Sequence, residues 1–512
     1  MAEPRTEVWS LDLPDEHATV RLARDIAHVV RPGDLVTLSG GLGAGKTTLA
    51  RAIIRRLSAD ETLEVPSPTF TLLQSYPTQR GVVAHADLYR IGDVAELEEL
   101  GWDEAGEGAI VLVEWPERTG GMLPPNRLDV ALDMLPEFGP NARRATVTGV
   151  GAFAERLARL RDGRYFLESA GWGEATRIHL QGDASTRVYE RLVRPGATAI
   201  LMDAPKRADG PAIRGGRPYS AIAKLAEHVG PFVAMAEGLR GLGLSAPEIL
   251  SADLHRGFLL LEDLGSEPVV RDGEPITERY ERAVDLLARL HATALPAEAV
   301  APSVTHRLPR YDEEAMLIEV ELLLDWYYPY ATGAAAPDAV RAEFARLWRA
   351  ALEPVLAEPT TWTLRDFHSP NLIWLEGRPG IGAVGLIDFQ DALRGPPAYD
   401  LVSLLQDARV DVPEQLEIHL LRRYLDTRRQ TTKDLDIAAF LRSYALLGAQ
   451  RSTKVLGIFV RLARRDGKPG YMRHLPRLQR YLARDLAHPA LAELAEWYAA
   501  AFGSTEPQAV AV

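Results

Sequence analysis

Two stretches of the chain carry side chains whose types and spacing suit phosphate chemistry. The first, Gly40-Gly41-Leu42-Gly43-Ala44-Gly45-Lys46-Thr47, follows the G-x-x-x-x-G-K-T pattern of a phosphate-cradling loop. Glycines let the backbone wrap closely around phosphate so that successive N–H groups meet its oxygens, and a following helix N-terminus adds partial positive charge. Lys46 would pair the β and γ phosphates of ATP and Thr47 would ligate magnesium, with Thr48 in the same nucleotide-binding stretch. In the second, Asp366-Phe367-His368-Ser369-Pro370-Asn371 has the D-x-x-x-x-N spacing of a phosphoryl-transfer loop and is preceded by Arg365. Asp388, in Leu386-Ile387-Asp388-Phe389-Gln390, stands where such sites place a second metal carboxylate. Asp366 would orient an acceptor hydroxyl as catalytic base, and Asn371 and Asp388 would hold magnesium on ATP phosphates.

These residues need elements to position them. Asp34 to Ser39 reads as a short apolar strand and Lys46 to Leu57 as an amphipathic helix, with the glycine run between them. A second buried strand is expected at Ala109 to Val113, and Leu128 to Leu132 and Ala145 to Thr148 read as later strands. Alternation of strand and helix implies an α/β sheet. Glu114 ends the strand beside the expected loop, where a carboxylate can hold magnesium or its water shell. The helical pattern from Phe153 to Arg161 is broken by Asp162-Gly163, so an N-terminal P-loop NTPase domain is expected over 1–161 and a second domain over 164–512. The second begins with strand-like segments at Arg187 to Val193 and Ala197 to Met202, then turns mostly helical apart from a hairpin at Leu372 to Phe389 that brings Asn371 and Asp388 together. Gln181 to Arg187 occupies the place of a phosphate-covering loop, with Gly182 and Ser185 as nucleotide contacts, and Leu259 to Leu264 reads as a hinge facing adenine at Glu262. Ala331 to Pro337 reads as an exposed loop.

At 512 residues the chain has room for about three domains, or two large ones. Its 46% apolar and 25% charged content is ordinary for a globular protein. No run approaches the ~20 apolar residues of a membrane helix, and Met1 to Ser10 lacks the marks of a signal peptide, so a cytoplasmic protein is expected. The absence of cysteine removes disulfides, thiolate nucleophiles and Cys-ligated zinc. A formal charge of −13 disfavours a broad nucleic-acid-binding face, and the cluster Arg51, Arg55 and Arg56 reads as a solvated helix face.

Beyond the glycine run, Ser67-Pro68-Thr69-Phe70, His85-Ala86-Asp87-Leu88-Tyr89-Arg90 and Glu114-Trp115-Pro116 follow in an order that resembles the TsaE (YjeE) family, the bacterial ATPases of threonylcarbamoyladenosine modification of tRNA. The resemblance covers about Met1 to Arg161. It implies slow ATP turnover in partnership with a threonylcarbamoyl transferase and its companion subunit (TsaD and TsaB-like), and it puts Trp115 near the nucleotide, where core packing is the other reading. Asp87 is assigned to positioning water or magnesium. Thr69 is open between a switch at the γ-phosphate side and a turn cap, and Tyr89 and Arg90 between family roles and simple packing and ion pairing.

In the remainder, Gly182-Asp183-Ala184-Ser185, Met202-Asp203-Ala204-Pro205, Glu262-Asp263-Leu264-Gly265, Asp388-Phe389-Gln390-Asp391-Ala392 and Tyr399-Asp400-Leu401 together resemble the aminoglycoside phosphotransferase family, and within it the AmgK amino-sugar kinases of cell-wall recycling. The likeness spans about Arg164 to Ala500. It implies a two-lobed, protein-kinase-like α+β domain that phosphorylates the anomeric hydroxyl of N-acetylmuramate or N-acetylglucosamine with ATP and Mg2+. One departure is visible: the strand that should carry the ATP-pairing lysine has Met202 near that position, leaving Lys206 or Arg191 as substitutes. Asp391 is open between a sugar contact and an exposed loop aspartate. Kinases of choline, homoserine or aminoglycosides, and a non-catalytic sensor, are the alternatives; a cationic acceptor would favour a cluster of pocket carboxylates.

Overall fold

The computed structural model describes residues 4–92, 96, 107–121, 123–180, 187–206 and 210–503, in two compact units, Met1–Gly173 and Glu174–Val512. The first runs β1 (Thr6–Leu13), α1 (Glu16–Val29), β2 (Leu35–Ser39), α2 (Lys46–Ser58), β3 (Leu73–Thr78), β4 (Gly81–Asp87), β5 (Ile110–Glu114), β6 (Arg127–Met134), β7 (Arg143–Val150) and α3 (Ala152–Ser169). Its sheet has the order β1-β7-β6-β2-β5-β4-β3. The central strands β6, β2, β5 and β4 are mutually parallel, and β1, β7 and β3 pair antiparallel. Central β2 is buried at Leu35 through Leu38, as a strand covered on both faces must be. Helix α2 buries Leu49, Ala50, Ile53, Ile54 and Leu57, an apolar stripe of helical period.

Two expectations change here. No helix break occurs at Asp162-Gly163: α3 continues to Ser169, and the units divide after Gly173 rather than at 161–164. Phe153, Leu157, Leu160, Gly163, Phe166 and Leu167 are buried at helical spacing, and Arg164 Nη1 donates to Asp25 Oδ2 at 2.7 Å, so tertiary burial outweighs the local turn preference. Nor are Arg51 and Arg55 a solvated face; both are half-buried, and their Nε atoms donate to the carbonyls of Val65 and Leu63 at 2.9 Å each, pinning the segment after α2.

The second unit opens with β8 (Thr176–Leu180), β9 (Val188–Arg194), β10 (Ala197–Asp203), α4 (Gly230–Gly241), β11 (Ile249–Asp253) and β12 (Phe258–Glu262). The strands form an antiparallel sheet of order β11-β12-β10-β9-β8. A helical part follows, including α5 (Glu313–Leu322), α6 (Ala398–Leu405) and α7 (Ile437–Arg464), with the hairpin β13 (Leu372–Trp374) and β14 (Val384–Leu386) set among them. Helix α7 is buried almost continuously from Phe440 to Leu462. Of the exposed loop expected at Ala331 to Pro337, Ala331 and Thr332 instead end a short helix and Ala336 is buried, while residues 333–335 and Pro337 are exposed and non-helical. The loop Gln181–Thr186, with Gly182 and Ser185, lies outside the described residues. Among the described residues no helix is long and apolar enough to cross a membrane.

Candidate active sites

In the first unit, the loop Gly40–Gly45 joins the end of β2 to α2. Gly40 has φ 132°, and a Cβ there would stand 2.3 Å from the Leu132 carbonyl oxygen, so only glycine lets the loop pass β6 this closely. Gly43 and Gly45 also have positive φ, while Gly41, Leu42 and Ala44 complete the turn. Arg143 ties the loop to β7, donating from Nε to the Ala44 carbonyl at 3.0 Å. Lys46 folds back on the loop, with Nζ donating to the Gly40 and Gly41 carbonyls at 2.7 and 2.9 Å and lying 3.6 Å from the centre of the Trp115 ring. Burial lowers the affinity of this amine for its proton, against the pull of Glu114, Glu117 and Asp87.

Adjacent parallel strands place Asp87 beside Glu114, because both end β4 and β5 in register. Glu114 is buried, accepting from Thr47 Oγ1 at 2.9 Å on one oxygen and meeting His85 Nε2 at 3.0 Å on the other. Thr47 and Glu114 could thus supply the small hard-oxygen set that suits a magnesium ion shared with ATP phosphates. Thr48 follows on α2. Asp87 is fully engaged: Oδ2 accepts from Ser67 and Thr69 hydroxyls at 2.9 and 2.8 Å, and Oδ1 from the Tyr89 backbone at 3.0 Å. Its carboxylate therefore fixes the Ser67–Thr69 loop, a use that the strand end alone does not reveal. Tyr89 packs 4.9 Å from Trp115, and Arg90 lies 4.2 Å over the ring of Phe70.

In the second unit, β13 and β14 bring the two motifs together: the Ile387 amide donates to the Asn371 carbonyl at 3.1 Å, which sets Asp388 next to Asn371. Asn371 Nδ2 donates to the Asp366 carbonyl at 2.9 Å. Asp366, Asn371, Asp388, His368 and Glu262 line one cavity of about 660 Å³. Burial would raise Asp366, but Lys454, His368, Arg451 and Arg365 outweigh it and hold the carboxyl below its usual range. Burial and the Asp366 charge push Asp388 upward, against Arg187 and the Gln390 hydrogen bond. Burial holds His368 down to about 4, with Asp407 opposing, so it is a neutral imidazole near pH 7. Asn371 and Asp388 again form a small oxygen pair suited to a metal brought by nucleotide phosphates.

Further groups support the site, of which Asp407, Glu319 and Lys454 carry no sequence motif. Asp400 at the start of α6 accepts from the backbone amides of Leu364 and Arg365 at 2.6 and 2.8 Å, and Asp407 from the Ser369 amide at 2.9 Å, so two buried carboxylates clamp the loop on either side of Asp366. Arg365, in a left-handed conformation at φ 71°, pairs with buried Glu319 of α5. Glu319 also holds Lys454 of α7 at 2.8 Å. Asp391 accepts from the Ala226 amide at 2.6 Å, so it braces a loop while lining the cavity. Glu262 ends β12; its carboxylate is ion-paired to Arg378 at 2.5 Å and its backbone amide donates to the Glu248 carbonyl at 2.9 Å.

These geometries define a class: a P-loop nucleotide site and a kinase-like phosphotransfer site carried by separate units of one chain. Comparison with known proteins agrees. Residues 13–140 match the family described as threonylcarbamoyl adenosine biosynthesis protein TsaE, and residues 176–435 match the phosphotransferase enzyme family APH. The second unit is similar to the N-acetylmuramate/N-acetylglucosamine kinase of Caulobacter vibrioides, 40% identical over 65% of this chain and 94% of that one, and to the protein of that name from Pseudomonas aeruginosa, 35% identical over 64% and 89%. The first is similar to the tRNA threonylcarbamoyladenosine biosynthesis protein TsaE of Rickettsia felis, 42% identical over 25% of this chain and 74% of that one. The chain belongs to the TsaE family through its first unit and to the APH phosphotransferase family through its second, and it is an enzyme with ATPase and kinase activities.

Proposed function

We propose that the first unit hydrolyses ATP in support of threonylcarbamoyladenosine formation on tRNA, together with a threonylcarbamoyl transferase and its companion subunit. The second unit transfers the γ-phosphoryl group of ATP to the anomeric hydroxyl of N-acetylmuramate and N-acetylglucosamine. In the first site Gly40 to Gly45 hold the phosphates, Lys46 turns from the loop carbonyls to the β and γ oxygens, and Thr47 and Glu114 hold magnesium. Asp87 carries the Ser67–Thr69 loop so that the arrival of a γ phosphate can be felt there. Trp115, stacked on Lys46, forms the floor of the site.

In the second site Asp366, kept ionised by its cationic neighbours, accepts the hydrogen bond of the sugar hydroxyl and aligns it with the γ phosphorus. Magnesium bound by Asn371 and Asp388 would neutralise charge on the phosphates. The observation that carries this reading is the lining of the cavity: besides Asp366, Asn371 and Asp388 it includes Arg409, Arg451 and Lys454 with apolar Val455, Ile458 and Phe459. These cations suit the carboxylate of N-acetylmuramate, while the carboxylates Asp263, Glu262 and Asp391 that line the same cavity are already engaged by Arg191, Arg378 and the Ala226 amide. Phosphorus NMR of the full chain with magnesium-ATP and N-acetylmuramate, N-acetylglucosamine or choline tests it. A sugar 1-phosphate resonance with both sugars and none with choline is expected; phosphocholine, or no organic phosphate from either sugar, would overturn the assignment.

A further inference from the structure

Protein-kinase-like sites place a strand lysine on the ATP phosphates, and here the corresponding strand, β10, has no such group. Met202 is 1% exposed, faces Leu259 and Tyr189 across the sheet, and packs in the apolar core with Phe232 of α4. Phe232 in turn stacks on Phe389, the residue after Asp388, with ring centres 4.8 Å apart. An apolar column therefore fills the space where a lysine and its helix partner would meet. The two substitutes considered from sequence are poorly placed. Arg191 is held by Asp263 at 2.8 Å, beside the hinge, and Lys206 is exposed beyond the end of β10.

A different cation reaches the centre. Arg187 directly precedes β9, and its Nη1 lies 2.9 Å from Asp388 Oδ1, 201 residues away in sequence. Its side chain is only 11% exposed, and it borders both the main cavity and the adjoining space lined by Met202 and Phe232. We propose that Arg187 is the phosphate-binding cation of the kinase site. It rests on the reading of the second unit as an ATP-dependent kinase. With nucleotide bound, Asp388 would be available to hold magnesium, and the Arg187 guanidinium would present its fork of N–H donors to the phosphate oxygens, a planar group matched to paired oxygens. The cation thus enters from the residue that precedes β9 rather than from β10, and Met202 is free to be apolar.

The test separates phosphate recognition from general damage. In the full chain carrying Lys46→Ala to silence the first site, calorimetry would compare magnesium-ADP with adenosine, for the parent and for Arg187→Met and Arg187→Lys. Loss of a charged hydrogen-bonding group should weaken ADP about 10- to 100-fold in Arg187→Met, with an intermediate loss in Arg187→Lys, while adenosine binds unchanged. The KM for ATP in sugar phosphorylation should rise in parallel with little change in the KM for sugar. Equal weakening of ADP and adenosine, or ADP binding indifferent to both substitutions, would overturn the proposal. Adenosine binding reports that each variant is folded, and because no acceptor is present, an incorrect choice of sugar would leave this result standing.

Discussion

The two phosphate sites place a cation and a carboxylate at comparable positions by opposite routes. In the first unit eight consecutive residues make the cradle, and its key contacts, Lys46 to Gly40 and Gly41 and Thr47 to Glu114, arise from one loop and the ends of neighbouring strands. In the second unit the same needs draw on Arg187, Glu319, Asp366, Asp388, Asp400 and Lys454, and a buried Glu319–Arg365–Lys454 cluster sits behind the catalytic loop. The lesson is that a contiguous loop obtains its geometry from backbone conformation, whereas a scattered site must obtain it from buried charge. The first should therefore be sensitive to changes of backbone freedom, and the second to loss of buried partners.

The sharpest break in that comparison comes from Asp366→Asn, which should lower sugar-phosphate formation about 10²- to 10⁴-fold, the range typical of a general base. Phosphate release at the first site should be untouched, and a malachite-green assay beside product NMR would separate the two. Next is Glu319→Gln. It leaves Arg365 and Lys454 buried without their carboxylate and should destabilise the second unit by about 3–5 kcal/mol. Hydrogen exchange in peptides from 437–464 would report it, with peptides from 46–58 as the unchanged reference.

The same cluster predicts a pH signature. Burial alone would raise Glu319, but Lys454 and Arg365 bring it down to about 2 from an ordinary 4.5. A carboxyl depressed in the folded state stabilises above 4.5, and that contribution is lost as pH falls towards 2. The gap between wild type and Glu319→Gln should narrow by about 2 kcal/mol between pH 6 and pH 3, as measured by urea unfolding. The smallest expected effect tests the other side of the comparison. Gly40→Ala adds a Cβ against the Leu132 carbonyl at a positive φ, and should cost the first unit about 1–3 kcal/mol and reduce its ATP turnover while sugar phosphorylation stays intact.

How much could be read in advance follows the same division. The P-loop, its flanking strand and helix, Glu114 at the end of β5 and the hairpin joining Asn371 to Asp388 were all legible, because each rests on local spacing and period. The Arg187–Asp388 pair was not, since nothing short of the fold says which of many arginines meets a carboxylate 201 residues on. The double clamp was only half legible: Asp400 stands in the Tyr399-Asp400-Leu401 motif, whereas Asp407, an acidic residue just after the apolar helix α6, shows only the general pattern of a buried polar group needing partners. The helix through Asp162-Gly163 is not legible locally, because a turn-forming pair is overridden by the core burial of Phe153, Leu157, Leu160 and Phe166.

The central claim is that one chain holds two ATP sites with separate machinery. It is tested most directly by measuring sugar 1-phosphate formation and sugar-independent phosphate release for wild type, Lys46→Ala, Asp366→Asn and the double variant. The account predicts that Lys46→Ala abolishes only phosphate release, that Asp366→Asn abolishes only sugar phosphorylation, and that the double variant loses both. Loss of both activities in either folded single variant would contradict it.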